Sequence, residues 1–178
     1  MAKNSKNASA ETTSATYKST MQESAVHEAI ELRELDKQKE LDLAVTLLLD
    51  ALNVVNEQVG TPLYDLDADR EHHYLSDVSH LYGAFDKTTN VLVGIIAVEE
   101  DAIERIAVQP KLWRRGIGAE MMRAMRSTFD AEYVDVFALN SEALAFFEAQ
   151  GMAMFDETAP ETGDLMAKSP HKVIHLMY

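Results

Sequence analysis

The sequence predicts a mixed α/β chain whose sheet starts antiparallel. Three observations predict it. Short apolar runs alternate with segments of helical periodicity, two adjacent runs flank a turn-rich pentapeptide, and a buried run feeds through a glycine loop into a helix. A chain of 178 residues with 47% hydrophobic residues is enough for one core.

The elements follow in order. Residues 1–24 are rich in Ser, Thr, Asn, Lys and Ala and nearly lack large apolar side chains, so they bury too little to offset ordering entropy and read as a mobile tail. A helix from about Met21 is the competing reading. The folded part spans 25–178. Glu28 to Leu35 alternates Ile30 and Leu32 with charged neighbours, as a half-buried strand does. Asp36 caps a helix from Lys37 to about Gln58, with Leu41, Ala44, Val45, Leu48, Leu49 and Leu52 at helical spacing and Gly60 and Pro62 ending it. Residues 63–79 read as a short helix with loops. Leu81–Phe85 and Val91–Val98 flank Asp86-Lys87-Thr88-Thr89-Asn90 as a hairpin. Ala102–Val108 is the next strand. The helix of Gly116–Phe129 packs Ile117, Met121, Met125 and Phe129, methionines suited to core filling. Strand Tyr133–Leu139, helix Ser141–Gln150, strand Met152–Phe155, a polar loop and strand Val173–Tyr178 complete the chain.

Composition removes several function classes. The net charge of −14 argues against nucleic acid, whose phosphates need a basic face, and against anionic membranes. A negative field suits a cationic amine. With no cysteine there is no disulfide framework, thiol nucleophile or thiolate metal site. The longest apolar stretch, Ala44–Val55, is short and holds Thr46, Asp50 and Asn53, so no membrane span is expected. No N-terminal run resembles a signal peptide, and cytoplasm is the expected compartment.

The most informative stretch is Ile103–Met122, which runs from strand through Arg114-Arg115-Gly116-Ile117-Gly118-Ala119 into a helix. Backbone N–H groups at such a loop converge on one spot and favour a phosphate or pyrophosphate. The glycines admit close approach, and Arg114 and Arg115 add charge. A GxG before a helix also occurs in ordinary turns. It is neither a P-loop, which needs GxxxxGK[ST], nor a dinucleotide fingerprint, whose third glycine is replaced by Met121. A second segment sharpens the reading: Asn140, Ala143, Phe146, Phe147, Gly151 and Met152 fall in N-x-x-A-x-x-F-F-x-x-x-G-M after an apolar strand.

Together these segments resemble the GNAT superfamily of N-acetyltransferases over roughly residues 91–155. The family's V-x-P-x-x-[QR]-x-x-G-x-[GA] is matched by Val108, Pro110, Gly116 and Gly118. The resemblance implies a mostly antiparallel central sheet flanked by helices and splayed between strands four and five, with coenzyme in the gap. It implies acetyl-CoA as cosubstrate, with its pyrophosphate held by Arg114, Arg115, Gly116, Ile117, Gly118 and Ala119. The backbone of Ile106, Ala107 and Val108 would meet the pantetheine and polarise the thioester, and Asn140 would contact the coenzyme or order water. Phe147 stands beside the pantetheine arm where the family often has a general-acid tyrosine, and it cannot donate a proton to the leaving thiolate. Trp113 replaces the family's Gln or Arg.

A protonated amine needs a base or a water chain before it attacks a thioester. Glu104, on the strand lining the gap, matches a position where some GNAT enzymes carry a catalytic Glu; otherwise it faces solvent or pairs with Arg105 or a neighbour. Glu99, Glu100 and Asp101 are alternatives that also suit a turn. The run Asp65, Asp67, Asp69, Glu71 fails the calcium-loop template, with Arg70 where Gly belongs and Ser76 where Glu belongs. It reads as a solvated loop or a cation-attracting rim of the acceptor site. His72, His73 and His80 lack helical metal-pair spacing, and no metal is expected. The reading is transfer of an acetyl group to an amine, on a small molecule ahead of a protein, with a homodimer left open. An acyl-CoA-binding sensor without turnover is the alternative.

Overall fold

The computed structural model describes residues 28–159 and 171–178. The expected tail of residues 1–24 lies outside the described residues. The elements are β1 (Ile30–Glu34), α1 (Lys37–Val59), α2 (Ala68–Asp77), β2 (His80–Asp86), β3 (Leu92–Glu99), β4 (Ala102–Val108), a 3-10 turn (Pro110–Leu112), α3 (Ile117–Phe129), β5 (Tyr133–Phe137), α4 (Ser141–Ala149), β6 (Ala153–Thr158) and β7 (Val173–Met177).

Local chemistry sets the boundaries. The Asp36 side chain accepts from the Gln38 N–H and starts α1, and Gly60, at φ 75°, ends it. Asp67 does the same for α2 through the Arg70 N–H. In the hairpin, the Asp86 carboxylate gathers the N–H groups of Thr88 and Thr89, and Asn90 takes a positive φ. Several boundaries differ from expectation; the sixth strand, for one, runs Ala153–Thr158 rather than Met152–Phe155. Residues 28 and 29 are helical, so the first strand begins at Ile30. The fifth strand ends at Phe137 because the Asn140 N–H bonds the Phe137 carbonyl and turns the chain.

The strands form a seven-stranded sheet in the order β1-β2-β3-β4-β5-β7-β6. Its neighbours pair antiparallel except β4 and β5, which run parallel. That parallel pair is brief. Only Ala102↔Tyr133 and Ile103↔Val134 are in register, and beyond them the strands part. The sheet is thus splayed between its fourth and fifth strands. A β-bulge lies just past the junction. Ala97 opposes Arg105 and Val98 opposes Ile103, so Glu104 is the extra residue.

Each face of the sheet carries its own core. On one face α3 and α4 bury Met121, Met122, Met125 and Phe147 against Ile103, Val134 and Ile174. On the other, α1 and α2 bury Leu41, Ala44, Leu48 and Leu75 against Leu81, Phe85 and Ile95. Central β3 is buried from Leu92 through Val98, as a strand covered on both faces must be. No described helix is long and apolar enough to cross a membrane.

Candidate active site

A cavity of about 1250 Å³ opens where β4 and β5 part. It exceeds the usual few hundred to 1,000 Å³ of small-ligand pockets and suits a long, branched ligand. Its walls come from β4, β5, the loop into α3, the start of α4 and the segment joining α1 to α2.

One end is the N-terminus of α3. Gly116 is the cap residue, at φ 87° and ψ −3°, and no side chain caps the helix. The first-turn N–H groups of a helix have no intrahelical acceptor, so this end offers donors and partial positive charge to the cavity. Gly118 also matters by what it lacks. A Cβ there would stand 3.1 Å from two carbons of the Phe146 ring. Arg114, with φ 63°, lines the cavity and is ion-paired with Glu142 in the first turn of α4. Arg115 is exposed and outside the lining. These residues fit a pyrophosphate: free donors, no intruding side chain, and one guanidinium at the rim.

Trp113 has a definite job. Its indole Nε1–H donates to the Val108 carbonyl at 2.7 Å, tying the loop back to the end of β4. Backbone direction along β4 alternates. The Gln109 N–H bonds the Val93 carbonyl at 2.9 Å, and the Ala107 carbonyl also faces β3, 3.1 Å from where a Cβ on Gly94 would sit. The backbone groups of Ile106 and Val108 therefore face the gap, while those of Ala107 belong to the β3–β4 ladder.

The bulge turns both Glu104 and Arg105 toward α2. The Tyr74 hydroxyl donates to Oε2 of Glu104. Burial, then the hydrogen bond to Glu104, pushes the Tyr74 phenol well above its ordinary pKa, so it stays a donor. Arg105 Nε donates to Glu71 at 3.1 Å, its Nη1 donates to the Glu104 carbonyl at 2.7 Å, and its guanidinium lies 4.4 Å from the Tyr74 ring centroid. Glu71 is a buried carboxylate, its side chain 3% exposed, shared between Arg105 and Arg70.

The other wall holds Asn140 and Phe147. Asn140 caps α4 by accepting the Ala143 N–H at 3.1 Å, and its Nδ2 donates to the Tyr64 hydroxyl at 3.1 Å. Phe147 is 3% exposed and packed in the core beside Phe146, with part of its ring on the cavity wall.

The structure thus gathers Glu104, Ile106, Val108, Arg114, Gly116, Ile117, Gly118, Ala119 and Asn140 around one space, with Ala107 and Phe147 in its walls. Glu99 instead caps the Ser79 turn, and Glu100 takes a turn conformation at φ 53°. The acidic run divides. Asp67 caps α2 and Asp69 is exposed, while Asp65 and Glu71 line the cavity paired with Arg70. Among the described residues no group of three or more His, Asp or Glu side chains could hold a metal.

Sequence reasoning missed Tyr64, Tyr74 and the Glu71–Arg105 pair. One signal was available. Glu71, Tyr74, Leu75 and Val78 recur at helical spacing, so a helix through 68–77 puts them on one inward face. Nothing marked Tyr64, whose place depends on a loop.

Comparison with known proteins agrees with this geometry. The sequence profile of the acetyltransferase (GNAT) family matches residues 46–152, more than half of the chain. No curated protein gives a significant sequence match. Among solved structures, apo-form YjaB from Escherichia coli is similar at 16% identity and TM-score 0.66, over 84% of this chain and 97% of that one. A spermidine N-acetyltransferase from Vibrio cholerae, in complex with CoA and spermine, is similar at 16% identity and TM-score 0.58, over 85% and 95%. The ribosomal-protein-S18-alanine N-acetyltransferase from Escherichia coli gives 13% identity and TM-score 0.60, over 83% and 91%. At such identities the likeness shows the fold. With the profile match, the parted strands and the glycine-opened helix end, the chain belongs to the GNAT family of acetyltransferases.

Proposed function

We propose that this chain moves an acetyl group from acetyl-CoA to an amine, with Glu104 as the base. One observation carries the reading: a helix N-terminus opened by Gly116 and Gly118 and a carboxylate raised on a β-bulge border the same cavity at the parted strands. When bound, acetyl-CoA supplies an activated acyl carbon and a thiol leaving group. The first-turn N–H groups of α3 bind the pyrophosphate, with Arg114 adding charge once it releases Glu142. The gap-facing N–H groups of Ile106 and Val108 are the donors available to the pantetheine and to an oxyanion.

Glu104 Oε2 accepts the hydrogen bond of the Tyr74 hydroxyl, which leaves Oε1 for the incoming ammonium. It takes one proton from that ammonium, directly or through water, and holds it at Oε1. Asp65, Glu71 and Glu104 against Arg70 and Arg105 give the acceptor side a mixed rather than strongly acidic lining. Neighbours of the same fold are named for spermidine and for an alanine of a ribosomal protein, and an amine on a small molecule is our preferred acceptor.

The test is thiol release from acetyl-CoA across a panel of amines, with wild type and Glu104→Gln. Wild type releases thiol with at least one amine. Glu104→Gln loses about 10²-fold in turnover while calorimetry gives unchanged acetyl-CoA affinity. Acetyl-CoA binding with no turnover on any amine would make the chain a sensor and refute the enzymatic reading. Near-wild-type turnover by Glu104→Gln would remove Glu104 from the role.

A further inference from the structure

Thioester aminolysis leaves a thiolate that needs a proton, and most hydroxyl and N–H donors in these walls are already committed. The Tyr74 hydroxyl hydrogen-bonds Glu104, and the Trp113 indole N–H hydrogen-bonds the Val108 carbonyl. Phe147 has none. Tyr133 sits at the closed end, where β4 and β5 still pair.

Tyr64 is different. It stands on the segment joining α1 to α2 and lines the cavity beside the start of α4. Its hydroxyl meets Asn140, and the direction of that bond is fixed. Asn140 Oδ1 accepts the Ala143 N–H, so Nδ2 faces Tyr64 and must be the donor. The phenol oxygen is therefore the acceptor, and its own proton has no acceptor among the described residues. The side chain is held in place from both ends. Asn56 clamps the Tyr64 backbone through its carbonyl at 2.7 Å and its N–H at 2.8 Å, and the ring packs on Phe137 with centroids 5.2 Å apart.

Resting on the acetyl-transfer reading, we propose that Tyr64 donates the proton that the departing thiolate requires. The C–N bond forms and the C–S bond breaks, with its electron pair left on sulfur. Tyr64 hands its phenol proton to that sulfur. The nitrogen of the new C–N bond loses its second proton to water, and the phenolate recovers one from water. Glu104 releases to solvent the proton it took from the ammonium, so ammonium plus thioester gives amide, thiol and one proton. Burial keeps the phenol protonated in the resting site. Asn140's hydrogen bond and the positive charge of Arg105 oppose burial and stabilise the transient phenolate.

The test is Tyr64→Phe, which removes only the hydroxyl. The expected result is a turnover loss of about 10²-fold, with acetyl-CoA affinity within about twofold of wild type. The second readout needs no turnover. The thiol of bound CoA is titrated by its thiolate absorbance, with desulfo-CoA as the blank. In wild type it titrates about one pH unit below the same thiol in Tyr64→Phe, a tenfold change, because the phenol stabilises the thiolate. Turnover within about twofold of wild type, or a bound thiol that titrates alike in both proteins or as it does free in solution, overturns the proposal. So does an acetyl-CoA affinity that falls as far as turnover, which would make Tyr64 a binding contact. If wild type neither binds acetyl-CoA nor releases thiol, the acetyl-transfer reading has failed and this one with it.

Discussion

Replacing Gly116 by Val separates two roles of the loop into α3, which we propose holds the pyrophosphate. The residue sits at φ 87°, where a side chain crowds the backbone. A left-handed residue costs about 1–2 kcal/mol, and a β-branched one sits at the top of that range. For a chain of this size that lowers the melting temperature by roughly 2–8 °C. The second cost falls on binding. Val at the cap of α3 places its side chain where the donors need a close approach, and losing one hydrogen bond to a charged group is worth about 1.5–3 kcal/mol. Affinity for acetyl-CoA should drop roughly 10- to 150-fold. The assay is calorimetric titration well below the melting transition, alongside thermal unfolding of the free protein. A folded Gly116→Val protein with wild-type affinity would refute the placement of the pyrophosphate.

Two further outcomes follow from buried and paired charge. Glu71→Gln removes the carboxylate that Arg105 and Arg70 share and leaves Arg105 undercompensated. Because the Arg105 side chain is 32% exposed, the cost should fall below that of a fully buried pair, at about 1–3 kcal/mol, and the urea midpoint should fall by roughly 0.5–1.5 M. An unchanged midpoint would show that the pair contributes nothing net. Glu40 lies elsewhere, at the start of α1, where the bidentate bond from Arg33 holds its carboxyl at about 2, below its ordinary 4.5. A depressed carboxyl stabilises the fold above its unfolded pKa and loses that contribution as pH falls. Both side chains are part-exposed, so Glu40→Gln should cost about 1 kcal/mol at pH 7, and the gap should close between about pH 4.5 and 2. A gap independent of pH would exclude the ion pair as its cause.

How much of this was legible in the sequence depended on what kind of contact carried it. The strand–loop–helix unit from Ile103 to Met122 could be read because its signals are local: an apolar run, then glycines, then helical periodicity. The same holds for Asp36 and Gly60 at the ends of α1. The splay came from the resemblance alone, since no residue spacing states where two parallel strands stop pairing. Glu104 was found by its place on β4, but its partner was not, because Tyr74 lies thirty residues away on a helix read only as loops and a short helix. The bulge was also hidden. A period-two pattern puts Glu104 and Arg105 on opposite faces, and only the slip against Ala97 and Val98 brings them to one side. Tyr64 depends on the Asn56 clamp, which ties a loop to a helix side chain eight residues earlier and leaves no periodic trace.

The brevity of the β4–β5 pairing makes two inner edges inside the molecule. Past Ile103 and Val134, each strand has a row of backbone groups with no neighbouring strand to answer them, and the two halves are joined there by core packing, the Arg114–Glu142 ion pair and the Asn140–Tyr64 hydrogen bond. Amide exchange should report this directly. The gap-facing amides of Ile106 and Val108 should exchange with solvent far faster than those of β3, which is buried and paired on both sides. A long ligand lying between the edges takes the place of the missing ladder. It should slow exchange on β4 and β5 together, so that occupancy is felt as stiffness across a seam which the polypeptide itself leaves unstitched.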